Sequence, residues 1–201
     1  MKSSAQTSPA AASVPWPFPW MTVAFALAAL TLRFWPGAEA ALGYERAQIA
    51  AAQYWRLWTA HLVHFSWSHL FWNLLVFVPA GLWAERLLPD RLRLLLLLGP
   101  ALIGVALYGL DPGLARYAGL SGVVAGVVAF LALVQLRRGT SDRWFWRSVL
   151  LLLVAKIGLE FALSEPLFAR FAETGVRAVP LAHAAGVLGA GLILFGRRRR
   201  R

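Results

Sequence analysis

Six apolar stretches alternate along this chain with segments that carry most of its arginines, and this alternation constrains the fold more than any other feature. The stretches cover about residues 21–35, 68–88, 92–110, 119–136, 145–163 and 179–195. A bilayer's hydrocarbon core asks for roughly 20 apolar residues per spanning helix. The composition leaves little choice of solvent: 59% of the 201 residues are hydrophobic, and mean hydropathy is +0.61. A soluble fold of this length could not bury that much apolar surface. A net charge of +11 would point to nucleic acid in a soluble chain. Here the basic residues lie between apolar runs and at the end, so the expected partner is membrane lipid and nucleic acid is excluded.

The basic residues also orient the runs. With the N-terminus inside, the inner segments hold Lys2, Arg86, Arg91, Arg93, Arg137, Arg138, Arg143, Arg147 and Arg197 to Arg201, 13 in all. The outer loops hold Arg46, Arg56, Arg116, Arg170 and Arg177, only 5. This excess predicts six spans with both termini cytoplasmic. The fold class is therefore all-α, a polytopic six-helix bundle. Residues 1–19, rich in Ser, Ala and Pro, read as a disordered tail, residues 20–196 as one membrane domain, and 197–201 as a basic tail. Residues 37–66 are too mixed to span and read as a long loop with short interfacial helices. Pro89-Asp90 separates two runs, and Gly99-Pro100 marks a kink. Ala38-Glu39-Ala40 has the small-x-small form of a signal-peptidase site, but Lys2 is the sole charge before the first run and the leader is long. The first run is expected to stay in place. The tryptophans Trp55, Trp58, Trp67, Trp72, Trp144 and Trp146 read as interface anchors.

Even-numbered runs start at the outer face. His69 and Asn73, Ser121, and His183 each fall within the first turn or two of those runs, so they share one depth. Polar side chains inside a span are costly and need partners, so four at one level argue for one site. Small residues let the helices meet there. Gly122 and Gly126 form a G-x-x-x-G step beside Ser121, and Ala182, Gly186 and Ala190 recur every four residues around His183. With no cysteine in the chain, Ser121 is the best-placed nucleophile. His183 would take its proton. His69 and Asn73, one turn apart, would join the Ser121 amide in holding an oxyanion. The chemistry is acyl transfer at a peptide carbonyl. No acid is evidently set to orient His183, which implies a dyad. His61, His64 and His69 lack the spacing of a metal-ligand motif, and neither metal nor cofactor is expected. His61 and His64 read as loop packing. Lys156 and Glu160 share a face of the fifth run. Mutual neutralisation is the first reading, and a substrate contact or gate at Glu160 is the second.

These residues resemble the rhomboid family of intramembrane serine proteases. The matching stretches are His64-Phe65-Ser66-x-x-His69-x-x-x-Asn73, Gly119-Leu120-Ser121-Gly122 and Ala182-His183-x-x-Gly186, with Trp55-Arg56 in the first loop and Glu85-Arg86 after the second helix. The resemblance implies Ser121 as nucleophile, His183 as base, and His69 and Asn73 as oxyanion donors. Gly119, Gly122, Gly126 and Gly186 would pack at the site. The family's last helix-six glycine is Ala190 here, so slightly looser packing is expected. A narrower resemblance is to rhombosortase, through the small size, the Arg116-Tyr117-x-Gly119-Leu120-Ser121-Gly122 context and Lys156-x-x-x-Glu160. It implies a bacterial inner-membrane enzyme with its site towards the periplasm, processing exported proteins that end in a Gly-Gly-type signal. The alternatives are a rhomboid protease with other membrane-protein substrates and a catalytically silent rhomboid-like binder of transmembrane helices. A transporter is a third class, but the internal repeats it would carry are not evident.

Overall fold

The computed structural model describes residues 18–139, 141–163 and 179–196. Residues 1–17 of the expected 1–19 tail, the expected tail at 197–201 and the loop at 164–178 lie outside the described residues. In chain order the elements are α1 (Trp20–Arg33), α2 (Ala38–Leu42), β1 (Tyr44–Glu45), α3 (Arg46–Ala50), α4 (Arg56–Thr59), α5 (Trp67–Leu87), α6 (Pro89–Leu110), β2 (Arg116–Tyr117), α7 (Ser121–Arg138), α8 (Arg143–Leu163) and α9 (Pro180–Phe195). The described chain is all-helical apart from one two-residue antiparallel pairing, β1 with β2.

The six long helices α1 and α5 to α9 match the six apolar runs to within three residues at each end. Their boundaries have local causes. Pro89 ends the ladder of α5 and serves as the first residue of α6, where a missing N–H costs nothing. Ser66 caps α5 by accepting from the His69 amide at 3.1 Å. Gly139, with φ +67°, closes α7. By length and apolar composition α6 and α7 are the two described helices able to cross a membrane. The helices α1 and α9 are apolar but only 14 and 16 residues long. Apolar side chains such as Leu98, Val105, Leu152, Val154, Leu188 and Leu192 point outward. A surface of that kind suits lipid tails and not water.

The centre of the bundle is α7, which packs on α5, α6, α8 and α9. Its mid-section, from Val127 through Phe130 to Ala132, is almost wholly buried. Two close approaches at glycines fix the outlying elements. A methyl on Gly104 of α6 would lie 2.0 Å from the Leu57 carbonyl oxygen, so α4 rests directly on α6. A methyl on Gly81 of α5 would lie 2.6 Å from Thr22 Cγ2, which seats α1. Glu85, fully buried at the far end of α5, accepts from the Thr22 amide at 2.8 Å, its hydroxyl at 2.7 Å and Arg93 Nε at 2.8 Å. The carboxylate thus caps α1 across the bundle. Its ionic partner is Arg93 and not its neighbour Arg86.

The first loop is pinned by two arginines. Arg56, buried, donates to the carbonyls of Gly43 at 2.7 Å and Ala40 at 2.8 Å and to Gln53 Oε1 at 2.7 Å. Arg46 donates to the carbonyls of Tyr108 at 2.6 Å and Asp111 at 2.8 Å, closing the C-terminal end of α6. Two tryptophans depart from the expected anchor role. Trp146 is buried edge-on against Trp83, and Trp58 donates to the Leu97 carbonyl at 2.8 Å while packing on Phe25. Trp55, Trp67, Trp72 and Trp144 are exposed, as expected of anchors. Ala190 is fully buried.

Candidate active site

Ser121 is the first residue of α7, so it follows directly on the segment that β1 and the first loop hold in place. Gly119 N–H donates to the Ala60 carbonyl at 3.0 Å. Leu120 N–H donates to His64 Nε2 at 3.2 Å. The Tyr117 hydroxyl donates to the Gly119 carbonyl at 2.9 Å and lies 3.5 Å from His61 Nδ1. These contacts give His61 and His64 the loop-packing role expected from sequence, and a specific form of it: they clamp the turn that presents the serine. Burial lowers the pKa of His61 to about 4. Burial, and secondarily the neighbouring His69, lowers that of His64 to about 3. Both rings are therefore neutral near pH 7, and His64 Nε2 keeps the lone pair that accepts from Leu120. Burial also raises the Tyr117 phenol well above its ordinary value, with the Ser121 side chain and the Gly122 amide opposing it. Tyr117 thus reaches the first turn of α7.

Gly119 has φ +132°, a conformation that disfavours any side chain, and a methyl there would lie 2.5 Å from His69 Cε1 and 2.9 Å from Nε2. The Cε1–Nε2 edge of His69 therefore lies against the backbone two residues before Ser121. His69 also meets His64 edge-to-face at 5.1 Å. Asn73, one turn further along α5, is buried, and its Nδ2 has no acceptor among the described residues. An unspent buried amide donor is costly unless a ligand or water uses it.

The most extensive helix contact among the described residues is between α7 and α9. A methyl on Gly186 would lie 2.0 Å from the Gly122 carbonyl oxygen, one on Gly126 would lie 2.8 Å from the Gly186 carbonyl oxygen, and one on Gly122 would lie 2.9 Å from the Ala182 carbonyl oxygen. Glycine at all three positions lets backbone touch backbone. This contact neighbours Ser121 on one helix and His183 on the other. Among the described residues no hydrogen bond of 3.5 Å or less joins Ser121 to His183. Catalytic hydrogen bonds in unliganded sites are often long and tighten with substrate.

One ring nitrogen of His183 is engaged. Its Nδ1 lies 2.9 Å from Glu160 Oε2, and Glu160 Oε1 accepts from Lys156 Nζ at 2.6 Å. Lys156 Nζ is 3.4 Å from the same Nδ1. The sequence offers no evident acid for His183, and here the expectation needs correcting: Glu160, buried on α8, reaches it. The reading of Lys156 and Glu160 as a mutually neutralising pair describes only half of the cluster. Their four-residue spacing shows that they face each other, but which helix they face is a matter of tertiary packing.

The model for the Rhomboid domain matches residues 51–200 of the chain. A search among curated proteins finds no match.

Proposed function

Because the chain belongs to the rhomboid family, whose members are as a rule intramembrane serine proteases acting on transmembrane substrates, we propose that it cleaves peptide bonds in or beside transmembrane segments. Ser121 is the nucleophile and His183 the general base. The helices α1 and α5 to α9 are the six spans, both termini are cytoplasmic, and the site opens towards the periplasmic face of a bacterial inner membrane. The observation that carries this reading is the backbone contact of Gly122 and Gly126 with Ala182 and Gly186. It joins the serine helix to the histidine helix immediately beside the two reactive side chains.

His183 takes the Ser121 proton as Oγ attacks the scissile carbonyl, whose electron pair moves onto oxygen. The oxyanion accepts from the Ser121 amide, the Asn73 carboxamide and His69. Ser121 begins a helix, so its amide lies among those without an intrahelical acceptor. Collapse expels the amine, which leaves with the proton from His183. Water then attacks the ester by the same route in reverse and frees Ser121. The orphaned Asn73 amide and the seat of His69 against Gly119 support the oxyanion assignment.

The preferred substrates are exported proteins with a C-terminal Gly-Gly-type signal, an apolar helix and a basic tail, the rhombosortase role. The experiment is C-terminal proteomics of exported proteins with and without this gene, complemented by wild type or Ser121→Ala. Shortening confined to Gly-Gly-tailed proteins and restored only by wild type supports the reading. Shortening of other membrane proteins favours a broader protease. An unchanged proteome, together with capture of transmembrane segments by the purified chain, favours a silent helix binder.

A further inference from the structure

We propose that Glu160 is a positioning residue for His183, so that the site works as a Ser-His-Glu set with Lys156 balancing the glutamate. The proposal rests on the reading of Ser121 and His183 as nucleophile and base. Its starting point is an ion pair that an apolar helix does not need. Lys156 and Glu160 are the two charged residues on α8 beyond its first turns, and Glu160 is only 2% exposed. A buried carboxylate is costly without good partners. Glu160 has two, one for each oxygen: Lys156 Nζ at 2.6 Å on Oε1 and His183 Nδ1 at 2.9 Å on Oε2.

The contact decides which ring nitrogen holds the proton. An ionised carboxylate only accepts, so the proton of His183 must sit on Nδ1 to make the 2.9 Å bond. Nε2 is then the lone pair, free to receive a proton from serine. Lys156 would favour the opposite form, because an ammonium only donates and would need the lone pair on Nδ1. The distances favour the glutamate: Lys156 lies 3.4 Å from Nδ1 and spends its short bond on Glu160. Glu160 therefore fixes the tautomer and the ring orientation, the task of the acid in other serine hydrolases.

The charges also balance at each stage. A general base must begin with its lone pair, so the resting form has a neutral imidazole beside Lys156 and Glu160, whose charges cancel. When the Ser121 proton moves to Nε2, the new imidazolium is matched by the oxyanion on the substrate. The site stays neutral throughout, which matters in a low-dielectric setting where an uncompensated charge is strongly disfavoured. Lys156 thus permits a fixed negative charge beside the base without leaving a net charge in the resting bundle.

The test compares wild type, Glu160→Gln and the double variant Glu160→Gln/Lys156→Met in proteoliposomes. The readouts are fluorophosphonate labelling of Ser121, kcat and KM on a tethered peptide substrate, and melting temperature. Glu160→Gln should lower kcat with KM little changed, by roughly 10- to 10⁴-fold, the upper figure being the loss when the acid of a soluble triad becomes an amide. It should also lower the melting temperature, because Lys156 is left with no carboxylate. The double variant should recover the melting temperature and not kcat, which separates positioning from stability. Labelling of wild type with equal labelling of Glu160→Gln would overturn the proposal and leave Ser121 as nucleophile. A loss confined to KM would overturn it in favour of a substrate contact. Failure of wild type to label would bring down the protease reading itself, and this proposal with it.

Discussion

Replacing Gly186 with alanine tests the α7–α9 contact directly. The added methyl would lie 2.0 Å from the Gly122 carbonyl oxygen and 3.2 Å from the Gly126 nitrogen, where ordinary contact starts at 3.4 Å. Both neighbours are backbone, so no side chain can swing aside. Restoring contact distance to the Gly122 oxygen requires the helices to part by about 1.4 Å, the difference between the two distances. Forcing a methyl into a well-packed interior costs about 1–3 kcal/mol. The effect on chemistry should be larger, because a misplacement of about 1 Å between reacting groups can cost about 10²-fold in rate. Gly191→Ala on the same helix is the control, since nothing lies within 4 Å of its added methyl. There alanine should be neutral or stabilising by up to about 1 kcal/mol through helix propensity. The assay pairs thermal unfolding in detergent with the rate of fluorophosphonate labelling. Gly186→Ala should melt lower and label roughly a hundred times more slowly, with Gly191→Ala matching wild type in labelling. Equal behaviour of the two variants would refute the argument that backbone contact aligns serine with histidine.

Other outcomes follow from single contacts. Glu85→Ala strips the Thr22 amide and hydroxyl of their buried acceptor and should destabilise the fold by about 1–3 kcal/mol, read as a lowered melting temperature, with Arg86→Ala nearly silent. Arg56→Lys cannot span the carbonyls of Gly43 and Ala40 and the Gln53 amide oxygen at once, and should loosen the first loop, read as faster hydrogen exchange at residues 40–45. His61 and His64 have folded pKa values near 4 and 3, below an ordinary value of about 6.5, so the unfolded chain takes up their protons first. Their stabilising contribution is complete above about pH 6.5 and is lost as pH falls towards 4 and then 3, so the melting temperature should drop across that window, less steeply in His61→Gln/His64→Gln.

The long helices were legible because apolar runs announce themselves in the sequence, and their ends by Pro89, Ser66 and Gly139. The small-residue faces around Gly122 and Gly186 foretold where α7 and α9 meet. What was not legible depends on rotation about a helix axis or on irregular backbone. Nothing in the α8 sequence says that Glu160 faces α9. The β1–β2 pairing is two residues long, too short for any periodicity. The hydrogen bond of His64 to Leu120 joins residues 56 apart through loops, where spacing carries no register. Trp146 has the same flanks as Trp144 and differs only in the face of the helix it occupies.

The central claim is that Ser121 is a nucleophile activated within an apolar bundle. The most direct measurement is mass-spectrometric mapping of a fluorophosphonate adduct on the purified protein in lipid. The account predicts one adduct, on Ser121, absent from Ser121→Ala and strongly reduced in His183→Ala. An adduct that persists in Ser121→Ala, or a wild-type protein that takes up no probe, would contradict it.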